Sequence, residues 1–400
     1  MCKDKRWKKT VTVCVAEVMA LILGMMLLLS VKVSAQTPPD AGANALSRDR
    51  AVQYLGKGEA ASGEWTPLCL AAAGTAPSSA QVRQVENAIA QGAQSDQNPT
   101  DLAKQILLAT ACGLNPADVS GVHLLEALSE QEQMDKQGAN GPIFALLALD
   151  CGGYDLPADS RWSRESLTEL LLTYQREEGG FGLNQQMELD VDVTALSLLA
   201  LAPYREDPQV AQSVERGLNW LSGQQLDGGG FSSMGQESCE SVSTVLSALA
   251  ALGISPEDPA FVKDGNSPLD ALTAYQQADG SFSHLPGGSA NTLATQQALL
   301  ALVGTEEKVS PYRLDLLPEP EPAKSPAAVA VSFLLMTVGT FALIYLSLEL
   351  IKRMGDKRYQ KQQSALENHG TQDSGEQVAT EDGEKGEVAL PQDGEEEKER

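Results

Sequence analysis

Four hundred residues, 42% of them hydrophobic and carrying a formal net charge of −25, allow one large globular domain or two ordinary ones. So acidic a chain disfavours nucleic acid as a partner, because that binding rests on basic surface. Three histidines leave little material for a structural zinc site.

The ends of the chain predict targeting rather than fold. Lys3, Lys5, Arg6, Lys8 and Lys9 precede a nearly all-apolar run over 18–30, and Val33-Ser34-Ala35 supplies the small residues of a cleavage site. Residues 1–35 therefore read as a signal peptide, with an uncleaved anchor as the alternative. Residues 36–44 form a polar lead. A second run, 327–348, holds no charge, enough for a helix to cross a hydrocarbon core, and Lys352, Arg353, Lys357, Arg358 and Lys361 follow it. Basic flanks stay cytoplasmic. This predicts a single-pass membrane protein with a transmembrane helix over 327–351, an extracellular N-terminal domain and a cytoplasmic tail. A buried core helix is the competing reading of that run, and such a helix normally carries a polar face. Leu-Pro-Glu-Pro-Glu-Pro, beginning at Leu317, makes 318–326 an extended proline-rich stalk. Within the tail, 352–400, twelve acidic residues stand against three basic ones from Glu367 onward, which predicts disorder.

Between these ends, Ala- and Leu-rich segments with helical spacing recur over 102–112, 143–149, 167–174, 193–202, 242–252 and 293–303. Period-two runs of β-branched residues are missing, so the domain over 45–317 is expected to be all-α. Cys69, Cys112, Cys151 and Cys239 permit three disulfide pairings outside the cell, yet all sit among small or apolar residues and read equally well as buried thiols.

Three segments repeat a plan: QREEGGF ending at Phe181, QLDGGGF at Phe231 and QQADGSF at Phe282. Each is followed by an Ala/Leu-rich helix, TALSLLAL from Thr194, VLSALAAL from Val245 and TQQALLAL from Thr295. The Gly pair permits a left-handed turn at a helix end, and the Phe is placed to plug the gap between neighbouring helices. Two helices per repeat suggest hairpins stacked side by side, each burying its apolar face on the next.

This turn-and-helix pattern resembles the repeat of protein prenyltransferases and squalene cyclases. The resemblance implies an α/α toroid, an α6/α6-type barrel of helix hairpins, as also found in the vitamin B12 carriers intrinsic factor and transcobalamin. A closer likeness is to surface proteins of Gram-positive bacteria, carried by Gly63-Glu64-Trp65, NGPIFALLALD from Asn140, ALAPY from Ala200, FVKDGN from Phe261 and ATQQAL from Ala294. It covers roughly 45–317. The B12 carriers close over their ligand with a β-domain, where this chain passes to its stalk, so no corrinoid or other cofactor is expected.

Two constellations carry candidate chemistry. Squalene cyclases start an inner helix with Asp-x-Asp-Asp-Thr-Ala, whose middle Asp protonates the substrate. Here Asp190-Val191-Asp192-Val193-Thr194-Ala195 matches Asp190 to the first Asp and Asp192 to the proton donor, with Val193 replacing the last. Protonating an alkene needs an unusually strong acid and an aromatic-lined chamber, and this domain has few aromatics. The alternative is helix capping, where acid is favoured by the helix dipole. Glu237-Ser238-Cys239 resembles the Asp-x-Cys zinc ligands of prenyltransferases, but Ala294 holds the place of the third ligand, a His, and His284 lies ten residues earlier. No metal is expected. The Cys-Gly-Glu-Gln of thioester toroids, a nucleophile elbow and a phosphate loop are all missing. His123, beside Val122 and Leu124, reads as a core or rim residue.

A toroid has a mouth where its inner helices begin. Glu64, Trp65, Asn140, Asp190, Asp192, Glu240 and Asn291 are expected near it, as ligand contacts or as caps satisfying helix ends. The reading is a membrane-tethered surface module that binds a small molecule or a surface protein without catalysis. A cyclase using Asp192, with Asp190 beside it, is the alternative.

Overall fold

The structure, a computed structural model, describes residues 39–316 and 326–370. The expected signal peptide, most of the stalk (317–325) and the tail beyond 370 lie outside the described residues. The chain divides between Ala323 and Lys324 into two compact units, each described by itself.

The first unit opens with α1 (Pro39–Leu55), whose helical backbone starts inside the expected polar lead because Pro at a first helical position is already set for the helix. Then follow α2 (Thr66–Ala72), α3 (Ser79–Gly92), α4 (Pro99–Ala111), α5 (Leu124–Ser129) and α6 (Asn140–Asp150). The second half contains α7 (Arg164–Leu172), α8 (Val191–Leu201), α9 (Pro208–Gln224), α10 (Cys239–Ala251), α11 (Pro268–Thr273) and α12 (Thr292–Glu307). Two short hairpins lead into α10 and α12: β1 (Ser232–Ser233) pairs with β2 (Gln236–Glu237), and β3 (Phe282–Ser283) with β4 (Ala290–Asn291).

The even-numbered helices form an inner ring. Each packs on the next, α2 to α4, α6, α8, α10 and α12, and α12 returns to α2. Sequence explains the two layers. In α8 eight of the eleven residues are buried, as suits a helix enclosed on most sides. The outer helix α9 instead buries Val210, Ser213, Val214, Gly217 and Leu221, one face at three- and four-residue spacing.

The repeated turns bind neighbours together in one way. Gln175 Nε2 donates to Gly179 O (2.8 Å) within its turn and to Ser213 O (2.8 Å) on the following outer helix, α9. Gln225 Nε2 likewise donates to Gly229 O (3.0 Å) and Phe261 O (2.8 Å). In the third turn Gln276 Nε2 donates to Ser47 O (3.0 Å) of α1, and Ser47 Oγ donates back to Gln276 Oε1 (2.7 Å). Helix α1 thus takes the place of the next outer helix and closes the ring. Gly280, at φ +92, has the carbonyl of Arg50 2.4 Å from where a Cβ would stand, so only glycine fits this seam. Phe181, Phe231 and Phe282 are fully buried, as expected of plugs between helices.

Cys69, Cys112, Cys151 and Cys239 are all free thiols. Burial raises each of their pKa values, Cys112 to about 11 and Cys151 to about 12, so they stay protonated and weakly reactive. His123 is exposed rather than in the core, because its Nδ1 bonds the Ala117 carbonyl at 2.7 Å and holds the ring outward.

The second unit is the helix α13 (Pro326–Gly370). It includes the expected span, but the side chains of 326–338 lie outside the described residues, and among the described residues no helix is long and apolar enough to cross a membrane. The helix continues to Gly370, so disorder does not begin at 352. Residues 352–367 are rich in Lys, Arg, Gln and Glu, which favour helix, and Arg353 pairs with Glu349 one turn back.

Candidate functional site

Every residue expected at the mouth lies at the N-terminal end of an inner helix. Glu64 and Trp65 precede α2, Asn140 opens α6, Asp190 caps α8, Asp192 and Glu240 stand in the first turns of α8 and α10, and Asn291 caps α12. They do not form one site. Glu64, Trp65 and Asn140 line an open depression of about 220 Å³ together with Thr100, Asp101, Lys104 and Phe144. Lys104 Nζ bonds Glu64 Oε1 at 2.8 Å across it. Asp190, Asp192 and Glu240 gather elsewhere on the rim, around the β1–β2 hairpin.

That acidic group is built by capping. Asp190 Oδ1 accepts from the amides of Asp192 (2.9 Å) and Val193 (3.1 Å), and its Oδ2 accepts from Ser233 Oγ (2.6 Å). Asn291 caps α12 in the same manner, accepting from Ala294 N at 3.0 Å. Asp190 thus has both carboxylate oxygens engaged, and Asn291 its Oδ1. Asp192 differs. Its Oδ1 is buried with no protein donor. Burial raises its pKa to about 6, opposed by the nearby hydroxyls of Ser241 and Ser233 and reinforced by the charges of Asp190 and Glu240. Such a group holds a proton more readily than an ordinary Asp, and for the same reason is a weaker acid.

The Glu237-Ser238-Cys239 positions serve other contacts. Ser238 caps α10, Cys239 Sγ lies buried against Ala294 O (3.8 Å), and His284 Nδ1 bonds Glu240 Oε2 (2.8 Å). Among the described residues no three His, Cys, Asp or Glu side chains converge as metal ligands.

Inside the ring lies a second cavity, of about 160 Å³. Leu196 and Leu199 come from α8, Ser243, Thr244 and Ser247 from α10, and Leu293, Gln296, Gln297 and Leu300 from α12. Trp65, Phe144 and Tyr312 complete the wall, and Asp192 is not part of it. Trp65 and Phe144 border both cavities, their rings 6.3 Å apart and tilted by 34°. Tyr312 belongs to the segment after α12, which runs toward the far side of the ring, where Asp315 N donates to Cys151 O at 3.1 Å.

The polar stripe on α10 and α12 was hidden in the sequence, because Ser and Gln within Ala/Leu-rich helices read as tolerated substitutions. Ser243 and Ser247, four apart, put two hydroxyls on one face, and that spacing was the available signal.

Residues 122–313, α5 through the segment after α12 excepting a few flanking residues, match the prenyltransferase alpha-alpha toroid domain. That stretch, just under half of the chain, carries the prenyltransferase-type toroid domain. No curated protein matches it. The toroid extends beyond the matched residues, since α1 to α4 supply the helices that complete and close its ring.

Proposed function

We propose that this chain is a membrane-tethered cell-surface module that binds a small molecule or a partner through the mouth of its toroid, without turning it over. One observation carries the reading: Glu64 and Trp65 ahead of α2 and Asn140 of α6 border one depression, and Trp65 and Phe144 join it to the cavity within the ring. Surface tethering is supported by the signal-like start, the uncharged run over 327–348 and the basic residues after it.

The alternative is a terpene-cyclase-like enzyme with Asp192 as acid, which the family and the position of Asp192 at the start of an inner helix favour. Three observations weigh against it. Asp192 is absent from the cavity wall, its acidity is shifted in the weakening direction, and 160 Å³ falls below the roughly 300–1,000 Å³ of ordinary ligand pockets. Incubating the purified chain with squalene and shorter isoprenoids is expected to return them unchanged. A cyclised product that disappears in Asp192→Asn would establish the enzyme instead.

A further inference from the structure

We propose that the cavity within the inner ring takes an uncharged, polyhydroxylated ring the size of one pyranose unit, an inference that rests on the binding reading above. The first reason is charge. No ionisable Asp, Glu, Lys, Arg or His side chain lines the cavity, so a charged ligand would lose its hydration with no opposite charge to replace it.

The second reason is the kind of polar group present. Ser243, Thr244 and Ser247 each donate their hydroxyl proton one turn back along α10, to the carbonyls of Cys239 (2.7 Å), Glu240 (2.9 Å) and Ser243 (2.9 Å). Their oxygens keep lone pairs and act toward a ligand as acceptors. Gln297 Oε1 is a further acceptor, buried, with no protein donor in reach. The neighbouring Gln296 is already engaged, its Nε2 donating to Thr66 Oγ1 at 2.8 Å. These acceptors suit a ligand that carries several O–H donors.

The third reason is the remaining wall. Trp65 and Phe144 offer aromatic surface, and a pyranose presents an apolar C–H face for stacking while its hydroxyls project from the edge. Water would satisfy the acceptors but makes no use of the aromatic wall. In size, 160 Å³ corresponds to the liquid share of about five waters, enough for one sugar ring and short of an extended isoprenoid.

The test uses the full chain in detergent, titrated calorimetrically and by tryptophan fluorescence with glucose, galactose, mannose and N-acetylglucosamine. Tetramethylammonium and geraniol serve as comparison probes. Saturable one-to-one binding of at least one sugar is expected, weakened about tenfold by Gln297→Leu with the helical circular dichroism unchanged. Should that variant misfold, Ser247→Ala removes another acceptor at little change in volume and is expected to weaken the same sugar. Binding of geraniol or tetramethylammonium without any sugar would overturn the polyol assignment and leave the binding module standing. Failure of all six probes would overturn the assignment, and if no molecule co-purifies with the chain in mass spectrometry, the binding reading falls with it. Sugar binding untouched by both variants would place the sugar elsewhere and overturn the site.

Discussion

The two ends of the inner ring use polar residues in opposite ways. At the C-terminal end, Asp150 accepts from Arg164 Nε (2.9 Å) and Tyr204 Oη (2.7 Å), tying α6 to α7 and to the turn after α8. Arg164 also donates to the carbonyls of Leu149 (3.1 Å) and Tyr154 (2.8 Å). The Tyr204 hydroxyl is held well above its usual pKa by burial and by the Asp150 charge. The segment carrying Tyr312 adds the backbone bond from Asp315 to Cys151. At the N-terminal end Asp190 caps its own helix, Asp192 keeps an unpartnered oxygen, and apolar side chains face solvent, Met234 at 88% and Leu293 at 47% exposure. Mutually satisfied groups that bridge distant elements hold a fold together. Unsatisfied groups beside exposed apolar surface make that end the available one.

The largest expected effect is at the closed end. Asp150→Ala leaves the largely buried Arg164 and Tyr204 without their shared partner and should cost about 2–4 kcal/mol. Thermal unfolding reads this, and a loss under about 1 kcal/mol would remove the contrast between the ends.

Asp192→Asn tests the open end through pH. The folded chain holds this proton up to about pH 6, against a usual value of 3.8. In that window the folded state binds more protons than the unfolded one, so the stability due to this group is present below pH 3.8 and is lost as pH rises through 6. The Asn variant should therefore be more stable than the parent at pH 7, by roughly 1–3 kcal/mol, and should lose that advantage near pH 4. Urea unfolding at the two pH values measures it; a variant less stable at pH 7 would mean that the charged carboxylate is well solvated.

The smallest effect belongs to Glu64→Gln. Its pair with Lys104 is solvent-screened, with Glu64 61% exposed, so stability should move by no more than about 0.5 kcal/mol in a denaturation curve. A drop in ligand binding without a drop in stability would mark the depression as functional.

Much of this architecture was legible in the residues. Gln-x-x-x-Gly-x-Phe recurring before Ala/Leu-rich helices marked hairpins that need neighbours, and the three phenylalanines are buried as that pattern requires. The capping role of Asp190 was legible too, because a short acid ahead of an apolar helical run suits a helix start. Local reasoning left His123 open between core and rim; it stands exposed, with its Nδ1 bonded to Ala117 O. The helix runs past 352 to Gly370 over helix-favouring residues, ahead of most of the acidic stretch.

The sequence by itself determined the inner helices α4, α6, α8, α10 and α12 and the repeated turns ahead of the last three, because these follow from periodicity and turn chemistry within a few residues of each position. Only the tertiary structure decided that α1 closes the ring through Ser47 and Gln276, 229 residues apart, and that Asp192 stands outside the cavity wall. It alone set Trp65, Gln297 and Tyr312 around one space. Those outcomes depend on where distant helices come to rest against one another, and no local pattern encodes that distance.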